Sequence, residues 1–506
     1  MKSVFTFIIV LFSITNSFGQ VLNASVKDIK TNEPLPYVNV LLSNKKGVIT
    51  NGEGRFSIAI DNVPVTDSII ISCIGYESWK KRISEFNDSI VYLTPKAIEL
   101  KGVLVSNKTY TAKEIIAFVK DSMAKNYNTD LTKKRIFYRE SDHQTIDKTN
   151  YTFMKSTIEE LNKDFLDEVI RSIPRKDDSY TEILCDLYGD LTYSNQKIDM
   201  IKACNLFDKS TELDLTSLEE RFNAIIKENV KPDSYYKIKS GIFGTKVDSD
   251  EMGLYEDVEQ QKKDSITLKK ELETRKKREA ARKKYFSSYK KTSIAGHLRN
   301  LFFMEDTKFN VIHKSGKYDF TIQDFTYLGD DPVYILTFEP KRGADYKGTL
   351  YVNADDFAII RLDYENVKPL KSIKLLGISF QEHVGNGKMI FAKGENNKYD
   401  LKFFEKETGN RVGIKRPLKI IEKNKRVKGR NKQNELFIKI DMGVSTREKF
   451  EIVVFDSQSI NAANFDSFKE NNSMLPKQLK AYDPNFWKGY NIIEPNKAIK
   501  EFTAKE

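Results

Sequence analysis

The chain has four histidines and three cysteines, the residue types that most often ligate metals or serve as nucleophiles. The histidines are far apart in sequence, at His143, His297, His313 and His383. None is followed three positions later by a carboxylate, so the His-x-x-Glu pair of one class of zinc peptidases is missing. HExxH, GxSxG and Walker motifs are also absent. We therefore expect a non-catalytic protein with no cofactor and no metal.

The three cysteines leave two interpretations open. Cys73, Cys185 and Cys204 include no CxxC pair, which argues against zinc. Cys185 and Cys204 either form a disulfide in an oxidising compartment or remain buried free thiols.

Positive charge is concentrated in two stretches of the chain. Residues 262–291 contain 13 Lys or Arg against four acids, and residues 415–432 contain nine against one. The net charge of the whole chain is +11, so the remainder is acidic. Basicity in this protein is therefore local, and an interaction with an anionic partner would be local too.

The pattern of residues 255–291 predicts a long polar helix, and two interpretations of its role remain open. It either contacts an anionic surface such as lipid or polysaccharide, or it is a solvated helix stabilised by i,i+4 pairs such as Glu271 with Arg275. The residues predicted to make the anionic contact are Lys269, Lys270, Arg275, Lys276, Lys277 and Arg278. Aromatic stacking residues are missing from the basic core of the helix, so we expect no nucleic-acid partner.

The N-terminus predicts export. Lys2 precedes an apolar run from Val4 to Phe12, and small residues at Ser17 and Gly19 follow, which is typical of a signal peptide over residues 1–19. The apolar run is shorter than the roughly 20 residues that cross a bilayer, and no second run is longer, so we expect no transmembrane helix. The expected location is the periplasm or the outer membrane, with peripheral membrane contact as an option.

The 506 residues are too many for one core, and their pattern changes along the chain. Up to about residue 107, short alternating segments such as Leu22-Ala24-Val26 and Phe56-Ile58-Ile60 are separated by turns such as Asn51 to Gly54. Short strands at this spacing predict an antiparallel β-sandwich.

Four motifs in this region carry a family resemblance. EPLPYVNVLL (33–42), GVITNGEGRFSI (47–58), DSIIISCIGYES (67–78) and VYLTP (91–95) occur in this order. Residues 20–107 thereby resemble the carboxypeptidase-like regulatory domain of Bacteroidota envelope proteins. The resemblance implies a transthyretin-like sandwich with structural rather than catalytic residues.

Residues 108–506 predict an α+β domain with a large curved antiparallel sheet and a basic helical insertion at about 210–300. Capping boxes at Thr111 with Glu114 and at Thr216 with Glu219 start two helices. Strands return from Phe309 to Phe455, where YKGTLYVNADDFAIIRLDY (346–364) resembles the hairpins of lipoprotein-carrier-type half-barrels, which wrap an apolar cavity. The segment 482–495 is expected to dock on the sheet.

These observations favour an exported, non-catalytic envelope protein that binds an apolar ligand, an envelope polymer or a partner protein. Two alternatives remain open: a structural protein that bridges envelope components, and a hydrolase whose site has no recognisable motif.

Overall fold

The computed structural model describes most of the chain from residue 21 to residue 504. The described residues are 21–43, 47–60, 63–96, 110–192, 195–208, 210–230, 234–241, 243–248, 265–341, 343–394, 396–424, 426, 431–471 and 474–504. The predicted signal peptide, residues 1–19, lies outside them, and so does the part of the predicted polar helix before residue 265.

The described residues form 21 strands and six α-helices. The helices are α1 Ala112–Asn126, α2 Lys163–Ser172, α3 Ser210–Asn229, α4 Ser265–Leu298, α5 Ala462–Ser467 and α6 Lys497–Lys500. The first strands are β1 Val21–Asp28, β2 Asn39–Leu42, β3 Gly47–Ile49, β4 Arg55–Ala59, β5 Ser68–Ser72, β6 Trp79–Arg82 and β7 Ile90–Leu93. The next are β8 Thr132–Ser156, β9 Lys176–Gly189, β10 Gln196–Leu206, β11 Tyr235–Ser240, β12 Phe243–Asp248, β13 Tyr318–Leu328 and β14 Asp331–Pro340. The last are β15 Tyr346–Asn353, β16 Ile359–Asn366, β17 Lys371–Leu375, β18 Ile378–Lys393, β19 Tyr399–Lys423, β20 Lys432–Ser459 and β21 Lys477–Leu479.

The chain divides into two compact units, each built from several segments. The first contains the described residues of 1–103, 325–333 and 483–500. The second contains those of 104–324, 334–482 and 501–506.

The first unit is the predicted β-sandwich. Its two sheets have the strand orders β4-β1-β7 and β3-β2-β5-β6. All pairs are antiparallel except β1 with β7. Alternate residues of each strand are buried, for example Val26 in β1 and Ile58 in β4, because successive side chains of a strand point to opposite faces. The fold predicted for the N-terminal region is confirmed.

The segment 483–500 packs in the first unit, so the expectation that it docks on the C-terminal sheet is wrong. Asn491 Oδ1 accepts a hydrogen bond from the backbone N–H of Ala59, at the end of β4, at 2.7 Å. The side-chain amide of Asn51 donates to the backbone carbonyl of Glu494 at 3.2 Å. Trp487 is buried as well. The segment satisfies polar groups of the sandwich that would otherwise need water.

The second unit contains a curved, mostly antiparallel sheet of 14 strands. Its main path runs β13-β14-β15-β16-β18-β19-β20-β8-β9-β10-β21, with β11, β12 and β17 attached beside it. β8 and β19 have 25 residues each and β20 has 28. Residues 435–440 and 450–455 both lie in the single continuous strand β20. The predicted hairpin of β15 and β16 is confirmed.

One of the two predicted capping boxes lies at the observed start of a helix. α1 begins after Thr111, whose side chain and that of Glu114 form the predicted capping box. α3 begins at Ser210, so the expected start at Thr216 is wrong. The predicted helical insertion contains α3, the β11–β12 hairpin and α4.

The cysteines are free thiols. Cys185 and Cys204 are both buried, on the neighbouring strands β9 and β10. Cys185 lies opposite Met200, whereas Cys204 lies opposite Glu182. The two cysteines are therefore not opposite each other in the strand pair. Both are free thiols, so the disulfide interpretation is wrong.

Candidate ligand-binding site

A small cavity lies where the long strands β8, β19 and β20 reach helix α3 and the β11–β12 hairpin. Its volume is about 100 Å³. The lining residues are Ser156, Ile158, Leu161, Phe222, Ile226, Val230, Tyr236, Ile238, Ile420, Glu422, Asn434, Glu435 and Leu436. Most of these side chains are apolar, so the cavity is suited to hydrocarbon.

Helix α3 forms the roof of this cavity through its apolar face, and α2 packs in the same apolar cluster. Phe165 of α2 and Ile225 and Ile226 of α3 are buried in one cluster with Val230 and Tyr236. The spacing of Phe222, Ile225 and Ile226 places them on one side of α3, since residues three and four apart share a helix face. The β11–β12 hairpin closes the side, because Ile238 pairs with Ile420 of β19.

Two polar residues of the lining, Glu422 and Asn434, have partners within the protein. Glu422 accepts hydrogen bonds from Ser234 Oγ at 2.6 Å and from Asn434 Nδ2 at 2.8 Å. The Asn434 amide also donates to the backbone carbonyl of Asn229, the last residue of α3, at 3.1 Å. These bonds fix the end of α3 to the sheet and satisfy the buried carboxylate.

The second carboxylate of the lining, Glu435, is surrounded by lysines. Lys419 lies 2.6 Å from it, Lys155 lies 3.7 Å away, and Lys432 also pairs with it. Hydrogen bonds from Lys419 and Lys432 lower the pKa of Glu435 to about 2. Glu435 is therefore an ion-paired carboxylate at neutral pH, and it brings no uncompensated charge to the cavity.

The cavity is too small to enclose a whole ligand. Pockets for drug-sized molecules measure roughly 300–1,000 Å³, whereas an apolar cavity of about 150 Å³ holds a molecule the size of benzene. At about 100 Å³, this cavity fits the end of a hydrocarbon chain. The rest of such a ligand would lie outside.

An apolar stripe leads away from the cavity along the same face of β18, β19 and β20. Cross-strand pairs align it: Ile420 with Leu436, Leu418 with Ile438, Ile414 with Met442 and Val412 with Val444. Ile378 and Phe380 of β18 extend it opposite Ile414 and Val412. We call these ten residues and Ile440 the apolar stripe. All eleven are half-buried or exposed. Apolar surface of this extent, interrupted at one position by Arg416 opposite Ile440, marks a binding site more often than scattered exposed residues do.

The middle of the sheet is packed against α4. We call this side of the sheet, which carries Tyr138, Phe404 and Phe450, the helix face. His297 of α4 lies with its ring centroid 4.5 Å from that of Phe450 and 5.5 Å from that of Phe404. Burial, with a smaller effect of Lys406, lowers the pKa of His297 to about 3, so its ring is neutral.

Helix α4 is also attached to the helix face through buried polar groups. Lys290 forms an ion pair with Glu140, and both side chains are about nine-tenths buried. Tyr138 donates to Glu140 at 2.6 Å and lies 2.8 Å from the Ser293 hydroxyl. Lys291 pairs with Glu470 at 2.8 Å. The last two lysines of the basic stretch 262–291 thus hold the helix in place and do not add to a free basic surface.

The six predicted anionic contacts all lie on α4. Lys277 and Arg278 are exposed to solvent. The side chains of Lys269, Lys270, Arg275 and Lys276 lie outside those that the structure describes. None of the six lines the cavity.

Three carboxylates lie near each other where the sheet passes α4. Asp142 is directly opposite Glu448 on β20, two residues from Glu140 on the same strand. Burial, followed by the charges of Glu140 and Glu448, raises the pKa of Asp142 to about 6. In the parts of the chain that are described, no group of three or more His, Cys, Asp or Glu side chains is arranged to hold a metal ion.

The residues that line this cavity were not predicted from the sequence, although a signal was present. Apolar residues occupy every second position of 412–420 except Arg416, and every second position of 436–444. This pattern identifies one apolar face on each strand. Pairing of the two strands in this register, and the position of α3, were needed to bring the faces together.

Comparisons with known proteins identify the N-terminal region. No curated protein sequence matches the chain. One similar solved structure is described as the complex structure of Pseudomonas aeruginosa MucA/MucB, with 5% identity over 65% of this chain and 93% of that chain. Its TM-score of 0.14 does not show a shared fold. No helix in the described ranges combines the length and apolar character needed to cross a membrane. Residues 23–105 match the family model of the CarboxypepD_reg-like domain, so the N-terminal sandwich is a carboxypeptidase-regulatory-like domain.

Proposed function

We propose that this protein is an exported, non-catalytic envelope protein that binds the hydrocarbon part of an amphipathic lipid. The end of the lipid's hydrocarbon chain occupies the cavity between α3 and the sheet. The rest of that hydrocarbon chain lies along the apolar stripe. The N-terminal domain acts as a docking or spacer module.

The observation that carries the proposal is the continuity of the cavity with the apolar stripe. Ile420 and Leu436 belong to both, and they are a cross-strand pair. Side chains of the stripe that remain half-exposed, such as Leu418 and Ile438, would be covered by a ligand of hydrocarbon. Burial of apolar surface contributes about 25 cal/mol per Å², so a chain that covers several of these residues gains several kcal/mol.

Filling the cavity tests the proposal. Ile238 is half-buried in the lining, so Ile238→Trp adds an indole ring at that position. We expect the parent protein to enhance the fluorescence of cis-parinaric acid and the variant to bind it about tenfold more weakly, a loss of about 1.4 kcal/mol.

The matched control is Ile421→Trp. Ile421 is also half-buried in a strand, but it does not line the cavity. The Ile421→Trp variant should bind cis-parinaric acid as the parent does. Equal binding by both variants, or no binding by the parent, would contradict the lipid proposal.

Export is supported by the pattern of residues 1–19 and is tested separately. We expect N-terminal sequencing of protein from fractionated cells to give a mature chain that begins near Gln20 in an envelope fraction. Recovery of the chain with Met1 from the cytosol would contradict export, while the lipid proposal would still depend on the binding assay.

A further inference from the structure

The β11–β12 turn and the β17–β18 turn both lie beside Pro417 of β19, one on each side of it along the strand. β18 pairs with β19 up to Ile414, and β11 pairs with it from Lys419 onward. Pro417 lies in the gap between them and has no backbone N–H to donate, which suits a position where a strand has no partner on one side. Both neighbouring strands therefore end there, and their turns lie at the gap.

Arg416 and its neighbour Lys415 contact one turn each. The Arg416 guanidinium donates to the backbone carbonyl of Ser240, in the β11–β12 turn, and lies 4.8 Å from the ring centroid of Phe243. In the β17–β18 turn, the backbone carbonyl of Gly377 accepts a hydrogen bond from the N–H of Lys415 at 2.7 Å. The two turns thus belong to one local surface.

This surface presents large apolar side chains to solvent. Leu375 is 63% exposed, Leu376 is 51% exposed, Phe243 is 53% exposed and Ile373 is 46% exposed. We call these four residues the apolar tip. Ile378 and Ile414 of the apolar stripe, also exposed, adjoin it. A contiguous exposed group of this kind is uncommon on a protein that has no partner for it.

The backbone of the β17–β18 turn gives a second reason to regard Leu376 as functional. Leu375 pairs with Ile378, so Leu376 and Gly377 form a two-residue loop, and their φ angles are 49° and 80°. Two-residue loops with positive φ at both positions strongly prefer Asn-Gly. Leu is disfavoured in this conformation, and exposure gives it no burial in return. The turn would form more readily with Asn at position 376. A contact between the leucine side chain and a partner would account for Leu at this position.

The three chain segments that surround the apolar tip carry only positive charges. Residues 237–247, 371–378 and 411–419 contain nine Lys or Arg and no Asp or Glu. Lys239, Lys246, Lys371 and Lys374 are exposed, and the side chain of Lys415 is 80% exposed. Asp441 reaches Lys415 at 3.7 Å from the adjoining strand. Apolar side chains surrounded by lysines match the boundary of an anionic bilayer, where the leucines enter the acyl region and the ammonium groups meet phosphates.

We propose that the apolar tip inserts into the surface of a phospholipid bilayer that contains anionic headgroups. This role goes beyond the proposed lipid binding and does not require the cavity to be occupied. It also differs from an electrostatic contact through α4, because most of the binding energy here comes from apolar side chains.

Vesicle co-sedimentation of the full chain with Leu376→Asn tests the inference. The probe is vesicles of phosphatidylglycerol and phosphatidylcholine in equal parts. We expect the variant to bind about tenfold more weakly than the parent at both low and high salt, because it loses a buried leucine rather than a charge. Its melting temperature should stay the same or rise, since Asn suits the turn, and it should still bind cis-parinaric acid.

Two further measurements make the result decisive. Ile322→Asn alters another exposed apolar residue, on β13, and should bind vesicles as the parent does. Leu376→Trp should show a blue shift of emission when vesicles are added. The inference is overturned if the parent does not bind these vesicles, if Leu376→Asn binds as the parent does, or if Leu376→Asn instead abolishes self-association of the parent.

Discussion

Arg139 and Glu182 form a buried ion pair across the neighbouring strands β8 and β9. The Arg139 Nε and Nη2 atoms lie 2.8 and 2.7 Å from one carboxylate oxygen of Glu182, and both side chains are at most 2% exposed. Arg139 also lies 3.6 Å from Glu451 of β20. A charge at this depth is tolerated only with partners, and here one guanidinium serves two carboxylates.

This pair is part of a row of polar residues that crosses seven strands on the face opposite α4. The directly opposed residues are, in strand order, Asp363, Lys388, Glu405, Glu451, Arg139, Glu182 and Cys204. Lys449 adds positive charge beside the two adjacent acids, 2.8 Å from Glu405 and 3.3 Å from Glu451. Burial by itself would raise the pKa of Glu451, but Lys449 and Arg139 lower it. The row fixes strand register, because a shift by one residue would separate these charges.

We predict that Arg139→Met destabilises the sheet by about 3–5 kcal/mol, because it removes the positive charge from beside two buried carboxylates. Urea denaturation followed by circular dichroism measures the loss. The double variant Arg139→Met/Glu182→Leu should recover much of it, since replacement of a buried pair by apolar residues is often close to neutral. A single variant within about 1 kcal/mol of the parent would contradict this role for Arg139.

Asp142 should make stability depend on pH. Its pKa is raised in the folded protein from 3.8 to about 6, so the folded state holds the proton more tightly and stability falls as pH rises through this interval. Asp142→Asn should therefore be more stable than the parent by about 1 kcal/mol at pH 7, a value reduced for partial exposure. At about pH 3, where the carboxyl is protonated in both the folded and the unfolded state, the two proteins should be nearly equal in stability. A difference that is the same at both pH values would show that Asp142 does not titrate in this way.

Reversal of the exposed charges Lys277→Glu and Arg278→Glu separates the two interpretations of the basic helix. If α4 contacts an anionic surface, vesicle binding should fall at low salt and approach that of the parent at high salt, because exposed charges are screened over about 8 Å at physiological ionic strength. The melting temperature should change little, as exposed pairs contribute roughly 0–1 kcal/mol. Unchanged binding at low salt would leave α4 as a solvated helix.

The segment 483–500 should stabilise the N-terminal domain. We predict that residues 20–107 joined to this segment by a flexible linker melt at a higher temperature than residues 20–107 alone, because Trp487 and Ile493 are buried and Asn491 pairs with Ala59. Asn491→Ala in the joined form should cost about 1 kcal/mol, the net contribution of one hydrogen bond. Equal melting of the two fragments would show that the segment adds no stability.

The sequence by itself determined the local structure wherever one signal decides the outcome. Period-two alternation identified the strands of the sandwich, and the pair Thr111 and Glu114 located the start of α1. Both depend on interactions between residues close in sequence. The family motifs of residues 33–95 also lie in one continuous segment, which is why the N-terminal domain could be recognised.

Only the tertiary structure decided which distant residues meet. Ile420 and Leu436 border one cavity because β19 and β20 pair in a single register. Lys290 is buried in an ion pair with Glu140 and is not an exposed charge. Segment 483–500 completes a domain that begins more than 400 residues earlier, through contacts such as Asn491 with Ala59, which are 432 residues apart. Alternation along one strand identifies a face but not the strand opposite it, so strand pairing, the cavity and the apolar tip follow from long-range packing.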